Sequence, residues 1–202
     1  MSDLATYIEL GFRHIVNPEA ADHILFLLAL AAIYRFKDWR ECLWVATAFT
    51  VGHSLTLALA VTNTLVMPSS LIEFLIPVTI VATGLENLLV RDRVGDGSIS
   101  RYRPLLAGAF GLVHGAGFAN YLRSLFVDHI ALPLFGFNVG IEAGQICVLV
   151  VTFAAFMAVD RTITAIRAAG WRGMEPLRIR TVGVSAVALV IAARWAIERA
   201  PW

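Results

Sequence analysis

Long apolar runs recur six times along the chain, at residues 21–34, 42–67, 71–90, 104–127, 133–159 and 178–197. No other feature narrows the fold as much. Crossing the hydrocarbon layer of a bilayer takes about 20 apolar residues in a helix, so six candidate spans use up most of the 202 residues. The composition agrees: 58% of the residues are hydrophobic and the mean hydropathy is +0.75, above what a water-soluble domain carries. The expected class is all-α, a polytopic integral membrane helix bundle of six transmembrane helices plus a short N-terminal interfacial helix. It forms one transmembrane domain over 1–202, with an interfacial segment at 1–16 and spans near 18–35, 42–66, 71–91, 104–127, 133–159 and 178–198.

The placement of positive charge gives an orientation. Arg35, Lys37 and Arg40 follow the first span. Arg91, Arg93, Arg101 and Arg103 lie between the third and fourth, and Arg161, Arg167, Arg172, Arg178 and Arg180 between the fifth and sixth. The intervening loops, near 64–71 and 128–133, hold no Lys or Arg. Basic loops stay in the cytoplasm, which places both termini outside it and makes the chain a multi-pass protein of the inner (plasma) membrane. Nothing in this pattern calls for nucleic acid as a partner, and a homo-oligomeric state is left open. Cys42 and Cys147 form no recognisable pair or metal motif. Residues 1–16 lack the basic start and continuous apolar core of a signal peptide.

Residues 3–16, DLATYIELGFRHIV, are amphipathic. Leu4, Tyr7, Ile8 and Phe12 can share one helical face, as in a helix lying on the outer interface. Next comes NPEAADHILF. Asn17 is a good N-cap, Pro18 suits the first helical position, and Glu19 favours the positive end of the helix dipole. A helix is expected to start near Pro18, which separates His14 from Asp22 and His23. Pro77 marks a kink in the third span. The segment 160–178 reads as a surface loop or short interfacial helix, and Arg194, near the outer end of the last span, can reach the headgroups.

Polar groups inside the spans carry the chemistry. Gly108, Gly111 and Gly115 form a smooth strip that lets helices approach closely, and His114 sits beside it. His53 follows Thr50 by one helical turn. Asn138, Glu142 and Gln145 line one face of the fifth span, and Thr79, Thr83 and Glu86 one face of the third. At a rise of about 1.5 Å per residue, His53, His114 and Glu142 each fall about 14–17 Å from a membrane face, and Asp22 and His23 roughly 6–8 Å below the outer one. Glu86 lies nearer the cytoplasm and His14 at the outer surface.

An acidic side chain at the centre of a bilayer costs on the order of 2.5–3.5 kcal/mol on insertion scales. Glu142 and Glu86 therefore need a partner, a proton or an ion. Imidazole with carboxylate makes a nitrogen–oxygen site for a divalent transition metal, and the lack of a thiolate cluster argues against a sulfur-rich copper(I) site. Each residue also has a plainer reading. A membrane histidine can simply bond two helices; Asp22 and His23 can be a charge pair at a helix start; Glu86 can bond a neighbouring span or a cytoplasmic Arg. Asn138 and Gln145 can be interhelical donors, and His129 a solvated loop residue. The plain readings weaken when applied jointly, because three separate helices bring such groups to one depth.

The motifs DHILFLLAL, TAFTVGHSLTLALA, GLENLL, GLVHGAGFA and FNVGIEAGQ, in this order over about residues 11–155, resemble the HupE/UreJ family of membrane proteins. The resemblance implies a polytopic metal permease, associated with nickel or cobalt uptake for hydrogenase and urease maturation. Within it the metal-handling residues are His14, Asp22, His23, His53, His114, Glu142 and Glu86. The family usually places a histidine a few residues ahead of its Asp-His pair; here His14 precedes Asp22 by the longer interval IVNPEAA. The expected cargo is a divalent transition-metal ion, nickel first, with cobalt, zinc, iron or copper as alternatives.

The leading expectation is a transporter in which Asp22 and His23 receive the ion from outside, with His14 assisting. His53, His114 and Glu142 then bind it near the midplane, and Glu86 releases it inward. No ATP-binding motif is present, so coupling falls to another gradient or to trapping of the metal downstream. The alternative is an intramembrane metalloenzyme in which the same groups bind metal and activate water or oxygen, with Ser54 as a substrate contact. A scaffold for metalloprotein assembly ranks last, because the loops are short.

Overall fold

The computed structural model describes residues 3–18, 21–65, 67–89, 102–123, 131–169 and 173–201, and for 119–123 only the backbone. Among the described residues there are seven α-helices and no strand. They are α1 (Asp3–Val16), α2 (Ala21–Ala31), α3 (Trp39–Val61), α4 (Ser69–Leu89), α5 (Tyr102–Arg123), α6 (Ala131–Ala168) and α7 (Pro176–Glu198), with a 3-10 turn at Phe36–Asp38 before α3. Glu19 and His129 lie outside the described residues.

Four helices are long and apolar enough to cross a membrane: Phe36–Val61, Ser69–Leu89, Ala131–Ala168 and Pro176–Glu198. Their outward surfaces suit lipid. Trp44, Val150, Val151 and Val190 expose between 63% and 69% of their area, while His53, Asn87 and Ser185 are fully buried. Apolar side chains outside and polar ones inside is the arrangement of a bundle whose solvent is hydrocarbon.

The first expected span differs. Only 11 residues of it form α2, about 16 Å of helix against a layer of about 30 Å. The chain then turns within the protein, and other helices bond the carbonyls that the short helix leaves open. Asn87 Nδ2 donates to the Ala29 carbonyl at 2.7 Å, Thr181 Oγ1 to that of Ala32 at 2.9 Å, and Arg180 Nη2 to that of Tyr34 at 2.7 Å. Non-helical backbone at membrane depth is tolerated where protein encloses it in this way. The segment after 160 also departs from expectation: α6 continues to Ala168, so its 38 residues span about 57 Å and overshoot the layer.

Two glycine seams hold the bundle. Along α3 and α5, a Cβ on Gly52 would sit 2.0 Å from the Gly108 carbonyl oxygen. One on Gly111 would sit 2.1 Å from that of Phe49, and one on Gly115 2.2 Å from that of His53. The strip read from the sequence is thus a backbone-to-backbone contact. A second seam joins α1 to α6: a Cβ on Gly11 would meet the Phe137 carbonyl oxygen at 2.0 Å, and one on Gly140 that of Ile8 at 2.1 Å. Gly136 faces Leu4 and Tyr7, and Gly144 faces Phe12 and Ile15. The amphipathic face of α1 therefore runs alongside α6, and Ile15 is fully buried. That contact carries His14 into the interior, where the sequence alone leaves it at the surface.

Candidate metal centre

Three helices deliver one histidine each to a common point. His14 lies near the end of α1, His23 in the first turn of α2, and His53 past the middle of α3. The break between α1 and α2 turns the chain so that His14 and His23 face each other, with ring centroids 4.6 Å apart. His53 lies 5.9 Å from His14 and 6.2 Å from His23, centroid to centroid. Each of the three offers a ligand atom within 4.8 Å of the other two. His53 and His23 are buried, and His14 is half-buried.

The walls are aromatic. Phe118 packs 4.1 Å and Phe137 5.6 Å from the His14 ring, and Phe49 lies 6.1 Å from His53. Such walls offer no hydrogen bonds. The Nε2 of His14 and both ring nitrogens of His23 and His53 are buried with no hydrogen-bond partner. An unsatisfied buried polar atom costs about 1–3 kcal/mol, so this set is expensive as it stands. An ion shared among the rings takes up one nitrogen of each and offsets part of that cost, and three neutral imidazoles are a donor set for nickel, cobalt, zinc or copper. The residues fit a divalent metal.

A fourth ring, His114 on α5, stands 5.2 Å from His23 and is 1% exposed. Its Nε2 is 2.9 Å from Thr79 Oγ1, and its Nδ1 has no partner.

The acidic residues are placed differently. Asp22 Oδ2 accepts from Arg199 Nη1 at 3.0 Å. Glu142 Oε1 accepts from Thr47 Oγ1 at 2.5 Å, and Gln145 Oε1 from Thr50 Oγ1 at 3.0 Å. The polar stripe on α6 therefore faces the threonine side of α3, and Glu142 does not join His53 and His114 as the shared depth implied. Depth fixes a level in the membrane but not a direction around the helix, and His53 is turned toward α1 and α2. Glu86 accepts from Arg103 Nη2 at 2.6 Å and from Tyr102 at 2.5 Å. It sits two turns, about 10 Å, along α4 from Thr79.

Sequence reasoning missed Asn87 and Arg103. Asn87 is fully buried and accepts from Arg103 Nη2 at 2.9 Å. Its spacing was the available signal: Thr79, Thr83 and Asn87 follow one another at intervals of four on α4 and are all buried.

No curated protein and no solved structure matches the chain significantly. The family described as HupE / UreJ protein matches residues 1–199. With that match over nearly the whole length, and with the histidine cluster inside an apolar helical bundle, the chain belongs to the HupE/UreJ family.

Proposed function

We propose that the protein carries a divalent transition-metal ion, nickel in the first place and cobalt as its nearest alternative, across the inner membrane. The observation that carries this is the set of unpartnered imidazole nitrogens on His14, His23 and His53, converging from three helices in an aromatic-walled interior. In this reading the whole chain, 1–202, is one transmembrane domain of six passes with both termini outside the cytoplasm. Asp22 lies at the outer approach and exchanges Arg199 for the arriving ion. The three histidines strip and hold the ion. Glu86 lies on the inner side, where its carboxylate draws the cation onward. Glu142 supplies negative charge beside the path, in the α3–α6 contact, without being a ligand. Conduction requires binding firm enough to replace the ion's water and weak enough to release it.

The compactness of the triad favours a second reading, a metalloenzyme with three histidines and an open fourth position on its metal. The two readings part on retention and flux. A carrier gives up its ion during purification and moves it into vesicles, whereas the enzyme keeps a stoichiometric metal and moves none.

Titration calorimetry of the detergent-purified protein with nickel, beside nickel uptake by vesicles containing it, tests the proposal. His53→Ala is expected to weaken nickel binding on the order of 100-fold, about 2.8 kcal/mol, and to stop uptake with expression unchanged. Unaltered binding and uptake in that variant would overturn the assignment.

A further inference from the structure

The hydrogen-bond network around His114 fixes which of its nitrogens carries the proton. Thr79 Oγ1 lies 2.7 Å from the Ile76 carbonyl oxygen and 2.9 Å from His114 Nε2. A hydroxyl has one proton to give. Two oxygens 2.7 Å apart need a hydrogen between them, so the Thr79 proton goes to the Ile76 carbonyl. Thr79 is then the acceptor toward His114, and Nε2 is the N–H donor. The proton is located by this heavy-atom network. Nδ1 is left with a bare lone pair, buried among the rings of Phe26, Phe49 and His23 at centroid distances of 5.6, 5.0 and 5.2 Å. It has no donor to accept from. A neutral imidazole locked by a hydrogen bond on one nitrogen is the usual state of a metal-ligating histidine.

His114 is outside the group of three whose ligand atoms lie within 4.8 Å of one another, yet it neighbours His23, which is inside it. Two imidazoles bound to one tetrahedral ion, each nitrogen about 2.0–2.1 Å from the metal, hold their ring centres about 5 Å apart. The His23–His114 separation of 5.2 Å matches that figure. Both ring nitrogens of His23 are unpartnered, so no hydrogen bond fixes its tautomer. A neutral imidazole offers one bare nitrogen at a time, which serves the triad in one tautomer and His114 in the other. Two divalent ions so close together, with no carboxylate among their ligands, would repel strongly, so the two positions are filled in turn. Beyond His114, α4 carries the hydroxyls of Thr79 and Thr83, both buried.

We propose a second ion station, formed by His114 Nδ1 and the His23 imidazole and preset by Thr79, to which the ion passes from the triad of His14, His23 and His53. The proposal rests on the transport reading above. Thr79 is a positioning residue: it touches the ring, not the ion, and acts by keeping Nδ1 free of a proton.

The experiment compares wild type, Thr79→Val, Thr79→Ser and His114→Ala, by calorimetric nickel binding in detergent and by nickel uptake into vesicles. Wild type is expected to bind one equivalent. Thr79→Val keeps the side-chain volume but leaves the His114 N–H without its acceptor. It is expected to keep that equivalent on the triad and to lower uptake about 10-fold or more, the range seen when partners of metal-bound histidines are removed. Thr79→Ser restores the hydroxyl and is expected to restore uptake. His114→Ala is expected to bind one equivalent and transport none. Wild-type uptake in Thr79→Val, or equal loss in Thr79→Val and Thr79→Ser, overturns the role of Thr79. Loss of all binding in His114→Ala makes His114 a ligand of a single four-histidine site and overturns the second station. Absence of binding in wild type overturns the transport reading itself.

Discussion

At one end of α2, His23 meets His14, His53 and His114; at the other, the Ala29 carbonyl meets Asn87, and beyond it Arg103 and Glu86. About 9 Å of helix separates His23 from Ala29. Both regions are polar and buried within the same apolar bundle, and both draw on several helices. Their bonding differs. Arg103, 6% exposed, donates to Glu86 at 2.6 Å and to Asn87 at 2.9 Å. Asn87 in turn donates to the Ala29 carbonyl and to Ser185, while Arg178 bonds the last carbonyls of α4 at Asn87 and Leu88. Each of these donors has its acceptor. Around the histidines the nitrogens are left open. A network closed on itself holds helices in place; an open one is completed by something that arrives. Burial of polar groups alone does not tell these apart, and the count of satisfied partners does.

The largest expected effect comes from cutting the closed network. Arg103→Ala leaves the half-buried Glu86 carboxylate and the buried Asn87 amide without their cation. Removing one partner of a buried ion pair costs about 3–5 kcal/mol, so thermal unfolding in detergent should move sharply downward, or the protein should fail to accumulate. His53→Ala removes a ring whose nitrogens have no partner, so the cavity it leaves is offset by relief of those nitrogens. Its unfolding temperature should fall less than that of Arg103→Ala, while nickel binding weakens on the order of 100-fold. If Arg103→Ala melted like wild type, or His53→Ala were the less stable of the two, the contrast between a lock and a binding site would fail.

This contrast also marks how far the sequence could be read. The all-helical, apolar architecture was legible because apolar runs are a summed property, insensitive to detail. The glycine strip at Gly108, Gly111 and Gly115 was legible from its spacing. His23, His53 and His114 were legible as costly residues inside spans. The direction in which a side chain points around its helix was not, and so Glu142 was grouped with His53 where the structure turns it to Thr47. His14 shows a second limit. Its amphipathic helix resembles a surface element, and only the seam of Gly11 against Gly140 carries it inside. Glu86 had two readings, ion handling or an Arg partner, and spacing could not decide between them. The fold brings Arg103 from the loop end of α5 to meet it, a long-range fact with no local signature.

A smaller effect is expected at the seam that both regions share. A methyl group on Gly111 would stand 2.1 Å from the Phe49 carbonyl oxygen and 2.9 Å from the His53 backbone nitrogen. Both obstacles are backbone, so α3 must move away from α5. Overpacking of this kind costs about 1–3 kcal/mol, and the displaced helix carries His53 away from the other rings. Gly111→Ala should therefore lower both the unfolding temperature and nickel affinity, each by less than the variants above. A change in stability with unaltered nickel binding would show that the triad tolerates movement of α3, and the geometry of the site would then lose its claim to be preset by the seam.

The smallest expected effect is at Glu142. Glu142→Gln keeps the shape and an oxygen that can accept from Thr47 Oγ1, and removes one negative charge from a half-buried position. With the carboxylate outside the triad, the loss is electrostatic and indirect. With an effective dielectric of about 20, a unit charge and a divalent ion about 10 Å apart attract by a few kcal/mol before screening and relaxation, and a fraction of that survives. Nickel affinity should drop by no more than about 10-fold, 1.4 kcal/mol, well short of the loss in His53→Ala, with unfolding temperature unchanged. The same titration ranks the two: should Glu142→Gln weaken binding as much as His53→Ala does, the carboxylate is a ligand after all. α6 would then have to rotate Glu142 off Thr47 and toward His53 when the ion binds, and the open network would have four helices to close instead of three.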